Sequence, residues 1–393
     1  MTLPFPLPDR PRFGPSPEFI ERQADEPLVR VRLWDGSEAW LITRHADQRA
    51  VLTDPRFSSD NLVPGYPYLS AADTGWRGDR RVLINVDGDE HTAMRKPLQP
   101  YFTARATERI APSIERFADE LLDEMLAGPQ PADFLTAFAQ PLPALIMCEL
   151  MAVPREDRAR FQDFGSAVAD PRISAEEAAA AMDWMSAYLP DLVASRQRHP
   201  DGDDIITSLL RAGHDPKYVV EQCTVLMAGG QETSANMLAF GLVILLGHPD
   251  QLAEFVTTED PRVLGAVVDE LVRYASVNRH GRRRVALADA TVAGTLVRAG
   301  EGVIASTELA NFDPAAFPDP FTFDIHRDAR QQISFGHGRH LCLGRSLAES
   351  DIRIGLRTMF RRVPGIALGC AAEELEFDLD RVIIGFRRLP VVW

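Results

Sequence analysis

Cysteine is scarce in this sequence. Its 393 residues contain four, which are Cys148, Cys223, Cys342 and Cys370. They stand far apart, and no two of them have the Cys-x-x-Cys spacing. Disulfide-dependent proteins carry many cysteines, and zinc sites need closely spaced ligand pairs. The sequence therefore predicts neither a disulfide framework nor a zinc centre.

The sequence also lacks an excess of basic residues and any long apolar run. The formal net charge is −15 and the pI is about 5.1. Such an acidic chain is repelled by nucleic acid and by anionic membrane surfaces, so neither is an expected partner. The first residues lack the basic and apolar segments of a signal peptide, and no uncharged run is long enough to span a bilayer. We expect a cytoplasmic protein.

Internal repeats, low-complexity linkers and clear domain boundaries are also absent from the sequence. What is there is an ordinary globular composition, with 45% hydrophobic and 25% charged residues. This combination predicts one domain over residues 1–393.

Hydrophobic periodicity predicts a mainly α-helical fold with small β-sheets. Asp215 is a suitable N-cap, Pro216 suits the first helical position, and the helical pattern then runs to Gly247. Such a helix would be roughly 45 Å long at 1.5 Å per residue. The other patterns predict a hairpin at 28–43, a long loop at 60–88, helices from 90 to 246, and strands at 284–306 and 366–393.

One of the four cysteines stands in the stretch FGHGRHLCLGRS, residues 335–346. From the residues alone, Cys342 could be a buried free thiol, half of a disulfide, a nucleophile or a metal ligand. Its neighbouring glycines allow the loop to lie flat against a large planar group. A helical pattern follows the loop, and backbone N–H groups at a helix N-terminus favour a sulfur anion. Both features suit a thiolate ligand of haem iron, and a buried cysteine at a helix start is the common alternative.

The complete pattern Phe-Gly-x-Gly-x-His-x-Cys-x-Gly resembles the haem-binding loop of the cytochrome P450 superfamily, in its soluble, ferredoxin-dependent bacterial form. The resemblance implies a single triangular helical domain, with haem b between the long central helix and the cysteine loop. It implies that Cys342 is the proximal thiolate ligand of the iron. It also implies that Phe335 and Gly336 adjoin the cofactor and that His340 lies near a haem propionate.

Three further residues match positions that bind the haem propionates in the superfamily. Buried carboxylates need cationic or hydrogen-bonding partners. His91 and Arg95 are four residues apart and share one helix face, as in the family's H-x-x-x-R. Arg284 matches a strand arginine of the family, and the adjacent Arg282 and Arg283 are alternative candidates.

Glu270 and Arg273 match the family's E-x-x-R. Spacing alone would predict an ordinary helix-surface ion pair worth a few tenths of a kcal/mol. The resemblance implies instead a buried structural pair near the proximal side of the haem. The family often adds an arginine before the cysteine loop, where this chain has Thr322, and His326 and Arg327 are the candidates to replace it.

The middle of the long helix reads MAGGQETS, residues 227–234. Two glycines inside a helix cost about 1 kcal/mol each relative to alanine, which indicates close approach by a large group or a local break in the hydrogen-bond ladder. The stretch resembles the family's G-G-x-[DE]-T. The resemblance implies that Gly229 lies against the haem and that Glu232 and Thr233 manage protons beside the bound dioxygen.

Electrons must come from another protein, because the sequence has no nucleotide-binding G-x-G-x-x-G after a predicted strand and no iron–sulfur cysteine cluster. Residues 330–362 contain seven arginines and two acids, a local charge of about +5. A basic surface there would attract an acidic carrier. We expect a small acidic ferredoxin with its reductase, docked near Arg353 and Arg357.

The expected function is therefore a haem-thiolate monooxygenase that inserts one atom of O2 into a small organic molecule. The alternative is a nitric-oxide-reductase-like enzyme reduced directly by NAD(P)H, because LWDGSEAWLIT and LVRAGEGVIAS resemble that branch. That branch lacks the acid before the helix threonine, so Glu232 favours oxygen activation. A non-catalytic haem sensor is the third hypothesis, and it needs no Glu232-Thr233 pair.

The resemblance also implies where the substrate binds. It indicates Ala228, Val277 and Asn278, together with the 60–88 loop and the helices at 160–190. Because these segments mix apolar, aromatic and small polar residues, we expect a mid-sized, mainly apolar substrate. Hydroxylation or epoxidation in secondary-metabolite biosynthesis, by a monomeric enzyme, is the resulting expectation.

Overall fold

The structure is a computed structural model that describes residues 2–6, 13–15, 17–71, 73–74, 81–161, 175–378 and 382–393. The substrate contacts expected from the 60–88 loop and the 160–190 helices therefore fall partly outside the described residues. Among the described residues, no helix combines the length and the apolarity needed to cross a membrane.

The chain forms two compact units, each assembled from separate segments. The first comprises Met1–Met94, Asp269–Leu343 and Leu379–Ile384. The second comprises Arg95–Val268, Gly344–Asp378 and Gly385–Trp393. The single domain expected over 1–393 stays a prediction.

Helices account for most of the regular structure, and the strands are short. The α-helices are α1 (Pro17–Gln23), α2 (His45–Thr53), α3 (Gly88–Arg95), α4 (Ala104–Ala127), α5 (Pro141–Leu150), α6 (Ala175–Arg198), α7 (Ile205–Arg211), α8 (Pro216–Leu246), α9 (Pro249–Thr257), α10 (Pro261–Ala275), α11 (Thr307–Asn311) and α12 (Arg345–Arg362). The strands are β1 (Leu3–Pro4), β2 (Leu28–Arg32), β3 (Glu38–Ile42), β4 (Phe57–Ser58), β5 (Ala132–Asp133), β6 (Arg282–Ala286), β7 (Ala290–Val292), β8 (Thr295–Val297), β9 (Gly302–Ala305), β10 (Ala367–Leu368), β11 (Phe377–Asp378), β12 (Gly385–Phe386) and β13 (Pro390–Val392). The expected fold class, mainly α with small β-sheets, is confirmed.

The first unit contains a six-stranded sheet in the order β1-β2-β3-β9-β6-β4. At its centre, the predicted hairpin of β2 and β3 pairs antiparallel, with Val31 opposite Ala39. Gly36 turns the chain with φ +85°, a conformation that favours glycine. Val31, Ala39 and Leu41 share one face and are fully buried, which explains the alternating pattern of the sequence.

The second unit is built around α8, the long helix predicted from the sequence. Asp215 accepts a hydrogen bond from the backbone N–H of Tyr218, Pro216 opens the helix, and Gly247 follows its last residue. Both predicted ends are therefore confirmed. The helix packs against α5, α6 and α12 of the same unit.

Two glycines allow α8 and α12 to approach closely. A Cβ on Gly355 of α12 would lie 3.0 Å from a methyl of Leu238, and one on Gly241 of α8 would lie 2.5 Å from a methyl of Leu356. Larger side chains at either position would push the helices apart. The close packing fixes the residues of α12 against the C-terminal half of α8.

The remaining strands form small sheets within each unit. In the second unit β10, β13 and β5 form a three-stranded sheet, and β11 pairs with β12. In the first unit β7 pairs with β8. The strand patterns expected at 284–306 and 366–393 are thereby confirmed.

Candidate active site

The four cysteines, all of them described, form no disulfide and lie in distinct environments. Burial raises the pKa of Cys148 and Cys223 to about 12, so neither ionises near neutral pH. Partial burial also raises the pKa of Cys370. Cys342 is half-buried and is the one that ends the glycine-rich loop. Its pairing in a disulfide is therefore excluded.

Cys342 is also not part of a conventional metal cluster. Within the described part of the chain, no three His, Cys, Asp or Glu side chains come together to hold a metal ion. Among the described residues, a metal ion at Cys342 would therefore have at most two ligands of these four residue types. A haem iron, which takes four ligands from the porphyrin, requires only one protein ligand on this side.

The backbone of the cysteine loop depends on its glycines. Gly336 and Gly338 adopt φ +78° and +73°, in the left-handed region. A Cβ on Gly338 would lie 2.6 Å from the carbonyl oxygen of Leu52. The backbone N–H of Cys342 donates to the carbonyl of Phe335 at 2.8 Å, which closes the loop. The structure thus joins Phe335, Gly336 and Cys342 in one tight turn.

His340 is positioned by residues that the sequence analysis missed. Its Nε2 lies 3.0 Å from Asp87 Oδ1 and 3.0 Å from Ser59 Oγ. Its ring also contacts that of His91, with centroids 4.2 Å apart. The sequence held no local signal for this contact, because Asp87 precedes α3 and is 253 residues from His340 in the chain. The structure therefore brings together His91 and His340, the two histidines predicted to lie near the propionates.

The Asp87 carboxylate stays ionised despite partial burial. Burial alone would raise its pKa, but hydrogen bonds from His340, Ser58 and Ser59 outweigh that effect and hold the pKa well below its usual range. Asp87 thus presents a fixed negative charge to His340. This contact orients the imidazole that is expected near a propionate.

The three arginines of β6 have different environments. Arg283 forms a buried ion pair with Asp73. Arg282 lies against the cysteine loop, where a Cβ on Gly336 would be 3.2 Å from its Nε. Arg284 is buried and donates from Nη1 to the backbone carbonyl of Arg283 at 2.7 Å. Arg283 is thus engaged elsewhere, and Arg284 stays the predicted propionate partner.

The predicted Glu270–Arg273 pair is fully buried. Arg273 donates to the two carboxylate oxygens of Glu270 at 2.7 and 2.8 Å, and both side chains are inaccessible to solvent. Arg327 donates from Nε to the same carboxylate at 3.3 Å. Arg327 therefore supplies the second guanidinium that the sequence left open between positions 326 and 327. The expectation of a buried structural pair is confirmed, and the three residues are called the Glu270 cluster below.

The middle of α8 combines polar groups with an open stretch of small residues. Thr233 Oγ1 donates to the carbonyl of Gly229 at 2.6 Å, and the adjacent Glu232 is half-buried. Ala228 and Gly229 are exposed, and a Cβ on Gly229 would meet no described atom within 4 Å. A planar group can therefore lie flat against this part of the helix.

The other predicted residues lie on separate segments. Arg95 is the last residue of α3, one turn after His91. Val277 and Asn278 form a turn after α10, in which the Val277 carbonyl accepts from Ile384 N–H and Asn278 Oδ1 accepts from Gly281 N–H. Binding of substrate by Ala228, Val277 and Asn278 stays a prediction.

The choice of Arg357 as a docking residue is wrong. Its side chain is buried and donates to Glu259 at 2.9 Å. Arg361 binds the same glutamate at 2.6 Å, and Arg362 pairs with Asp119. These acids lie outside the 330–362 segment, so counting charge within the segment overestimated its basic character.

The residues described above fit a haem group. Cys342 offers a single sulfur ligand on a flat loop, whereas His91, Arg284 and His340 are suitable partners for propionate carboxylates. In the second unit, taken by itself, Gly229 leaves the surface of α8 open to a flat group.

Comparison with known proteins also indicates a haem protein, and the similarity extends over nearly the whole chain. A family model described as Cytochrome P450 matches residues 176–363. Cytochrome P450-SU2 of Streptomyces griseolus is 39% identical over 382 residues, which cover 97% of this chain and 94% of that protein. Pentalenic acid synthase of Streptomyces avermitilis is 38% identical over 386 residues, with 97% and 95% covered. The crystal structure of GfsF, a protein of Streptomyces halstedii, superposes with a TM-score of 0.94 at 38% identity over 100% of both chains.

Proposed function

This chain belongs to the cytochrome P450 family of haem-thiolate monooxygenases, and we propose that it inserts one oxygen atom from O2 into a mid-sized, mainly apolar organic substrate. The observation that carries the proposal is the cysteine loop. Cys342 is a half-buried thiol outside any disulfide, in a turn that glycine conformations and the Phe335 carbonyl hold in place.

Haem b is the cofactor, and its iron, bound by a cysteine thiolate, supplies the chemistry of O2 activation. In our proposal Cys342 provides that thiolate. His91, Arg95, Arg284 and His340 neutralise the propionates, since buried carboxylates need cationic or hydrogen-bonding partners. Phe335, Gly336 and Gly229 border the ring.

Glu232 and Thr233 manage the protons of the reaction. Cleavage of O2 consumes protons, which a positioned acid and a hydroxyl can deliver. Thr233 Oγ1 donates its hydroxyl proton to the Gly229 carbonyl of the same helix. The lone pairs of Oγ1 stay available to accept hydrogen bonds. Glu232 is half-buried, which allows it to exchange protons with solvent.

The substrate contacts Ala228, Val277 and Asn278 in this proposal. These are small, apolar and amide side chains, suited to orienting a largely apolar molecule. Hydroxylation or epoxidation in secondary-metabolite biosynthesis agrees with a relative that is named for the synthesis of pentalenic acid. The enzyme acts as a monomer.

The decisive experiment is a spectrum of the purified holoenzyme. Reduced protein with carbon monoxide is expected to show the red-shifted Soret band of sulfur-anion coordination. Cys342→Ala should lose that band and the oxygenation of any bound substrate, whereas the matched control Cys370→Ala should keep both. A wild-type protein without the band, or an active Cys342→Ala protein, would refute the proposal.

An acidic ferredoxin with its reductase supplies the electrons in this proposal. Of the arginines in 330–362, Arg339 is exposed and Arg353 is half-buried, so they replace the buried Arg357 as docking candidates. Arg339→Glu and Arg353→Glu should slow reduction by roughly tenfold at low salt. Arg262→Glu, at an exposed position on another helix, is the control. Equal rates in all four proteins would exclude both arginines as docking residues.

The same preparation tests the nitric-oxide-reductase-like alternative. Glu232 disfavours it, because that branch lacks the acid. Rapid reduction of the nitric oxide complex by NADH alone, without ferredoxin, would establish the alternative instead.

A further inference from the structure

Asn311, the last residue of α11, lies at the centre of a buried hydrogen-bond network in the first unit. The residue is fully buried, and its amide nitrogen donates to the hydroxyl of Ser276 at 2.9 Å and to that of Ser334 at 2.7 Å. Its amide oxygen accepts from the backbone N–H of Ile333 at 3.0 Å. Both protons and the oxygen of this amide therefore have partners. We call Asn311, Ser276 and Ser334 the Asn311 network.

The two serines connect the network to the C-terminal end of α10. Ser334 Oγ donates to the carbonyl of Val272 at 2.9 Å, and Ser276 Oγ donates to that of Arg273 at 2.7 Å. Helix α10 ends at Ala275, so both carbonyls belong to its last turn. The last carbonyls of a helix need donors from outside it. Through these two hydroxyls the central amide is fixed to a helix end.

The network also fixes the two residues that directly precede the cysteine loop. Ser334 N–H donates to Gln332 Oε1 at 2.8 Å, and the Ser334 carbonyl accepts from Arg282 Nη2 at 3.0 Å. The carbonyl of Ile333 accepts from Gly336 N–H at 2.7 Å. Every polar group of these two residues therefore has a partner. A buried polar network that is fully bonded holds one conformation, so the chain enters the loop at a fixed position.

The loop transmits this constraint to its cysteine. Phe335 directly follows Ser334, and its carbonyl accepts from Cys342 N–H at 2.8 Å. A displacement of Ser334 would move that carbonyl and, with it, the backbone that carries the sulfur. Groups that orient a metal ligand in this way matter for the metal, since their loss typically costs roughly 10- to 100-fold in affinity or activity.

We propose that Asn311 is a positioning residue for Cys342, on which it acts through Ser334 and the Phe335 carbonyl. The proposal rests on the proposed function, in which the Cys342 thiolate binds haem iron. Asn311 itself touches neither cofactor nor substrate. Its amide holds the loop in the conformation that presents the sulfur. The Glu270 cluster has a different role, since it pairs charges at positions 270, 273 and 327, whereas the Asn311 network acts on residues 333–334.

The first test is the lifetime of the thiolate ligand in the reduced holoenzyme with carbon monoxide. The readout is the decay of the red-shifted Soret band, at one urea concentration below the unfolding transition of every variant. Asn311→Leu and Ser334→Ala should each lose the band about tenfold faster than the wild type, the low end of the effect of such partners. Ser334→Thr retains a hydroxyl and should keep the wild-type lifetime.

Two results of this test would overturn the proposal. One is a wild-type lifetime in both Asn311→Leu and Ser334→Ala. The other is a loss in Ser334→Thr equal to that in Ser334→Ala. Should Asn311→Leu fail to fold, Ser334→Ala decides the test alone, because it removes a single hydroxyl.

A matched control separates positioning from general stability. Gln48 is as fully buried as Asn311, and its amide nitrogen donates to the carbonyls of Ile42 and Ser306 at 2.9 Å each. None of these three partners belongs to the cysteine loop. Gln48→Leu should therefore lower the free energy of unfolding, followed by far-UV circular dichroism, yet keep the wild-type lifetime of the band. If the lifetime follows the free energy of unfolding in every variant, including Gln48→Leu, the role of Asn311 is only structural and the proposal is overturned.

The two proposals fail in distinguishable ways. A wild-type protein without the red-shifted carbon monoxide band would refute the haem-thiolate function itself. A wild type that shows the band, with variants of the Asn311 network whose band is equally durable, would refute the role of Asn311 alone.

Discussion

The Glu270 cluster of the first unit differs from the Asp351 cluster of the second, in which Asp351 of α12 hydrogen-bonds with Ser234 of α8. Both bury polar groups, but they satisfy them to different degrees. Arg273 and Arg327 both donate to the Glu270 carboxylate, and Arg273 donates further to the carbonyl of Asn311. Asp351 has one partner side chain, and its Oδ1 is open within the described part of the chain. A fully paired buried charge stabilises one conformation, whereas a half-paired group retains the capacity to bind water and to exchange a proton.

Removing a partner from the fully paired cluster should have the largest effect. Arg273→Ala leaves Glu270 buried with one remaining guanidinium, and Glu270 cannot reach solvent. We expect the free energy of unfolding to fall by about 3–5 kcal/mol, the usual cost of breaking a buried ion pair. Urea unfolding of the holoenzyme, followed by far-UV circular dichroism, measures this loss.

The matched control is an exposed arginine of the same helix, which pairs with the aspartate just before that helix. The side chain of Arg262 is 90% exposed and binds Asp260 at 2.7 Å. Arg262→Ala should change stability by less than about 1 kcal/mol, because exposed pairs gain little Coulomb energy in water. Similar losses in the two variants would contradict the distinction between buried and exposed pairs.

The half-paired cluster should be recognisable by its pH dependence. The pKa of Asp351 is raised in the folded protein to about 7, from 3.8 in an unperturbed aspartate. Its contribution to stability is therefore complete below pH 3.8 and is lost as the pH rises towards 7. Over that range the wild type should lose a few kcal/mol, at most about 4, relative to Asp351→Asn.

Unfolding curves of both proteins across this pH range test the prediction. The difference between their free energies of unfolding should change with pH up to neutrality and then remain constant. A difference that is independent of pH would show that Asp351 is ionised throughout, like a normal surface carboxylate.

The spacing of three on one helix predicted that Glu270 and Arg273 pair, and the family resemblance implied that the pair is buried. They could not select Arg327, whose contact with Glu270 joins segments 57 residues apart. Arg357 was assigned wrongly for the same reason, since its partner Glu259 is 98 residues away. Local sequence patterns therefore identify candidate catalytic and binding residues. Packing between distant segments decides which charged side chains are neutralised by a partner.

Asp351 illustrates the same limit in the second unit. In the sequence it is one acid in a helix that also contains Glu349 and many arginines, so nothing marks it as buried. Its environment results from the close approach of α8 and α12 at Gly241 and Gly355. By contrast, the cysteine loop could be predicted, because its glycines and its sulfur are contiguous in the chain.

A smaller effect is expected from the second arginine of the Glu270 cluster. Arg327→Ala removes one hydrogen bond to Glu270 and others to the carbonyls of Asp319 and Thr322. Arg273 remains to neutralise the carboxylate, so the loss should be about 2 kcal/mol, below that of Arg273→Ala. Urea unfolding of both single variants ranks the two arginines. A larger loss in Arg327→Ala would mean that the cluster depends mainly on the loop before the cysteine.

The smallest effect on stability should come from replacing a buried glutamine whose amide nitrogen has no partner among the described residues. Among the described residues Gln231 Nε2 has no partner, whereas Gln23 Nε2 donates to the carbonyls of Thr43 and Leu309 at 2.8 Å each. Gln23→Leu should cost about 2 kcal/mol, because it leaves two buried carbonyls unpaired. Gln231→Leu should change stability by less than about 1 kcal/mol, since the amide nitrogen that it removes has no partner among the described residues. Thermal unfolding of the two variants gives the comparison, and a loss at Gln231 as large as that at Gln23 would show that its amide is fully bonded.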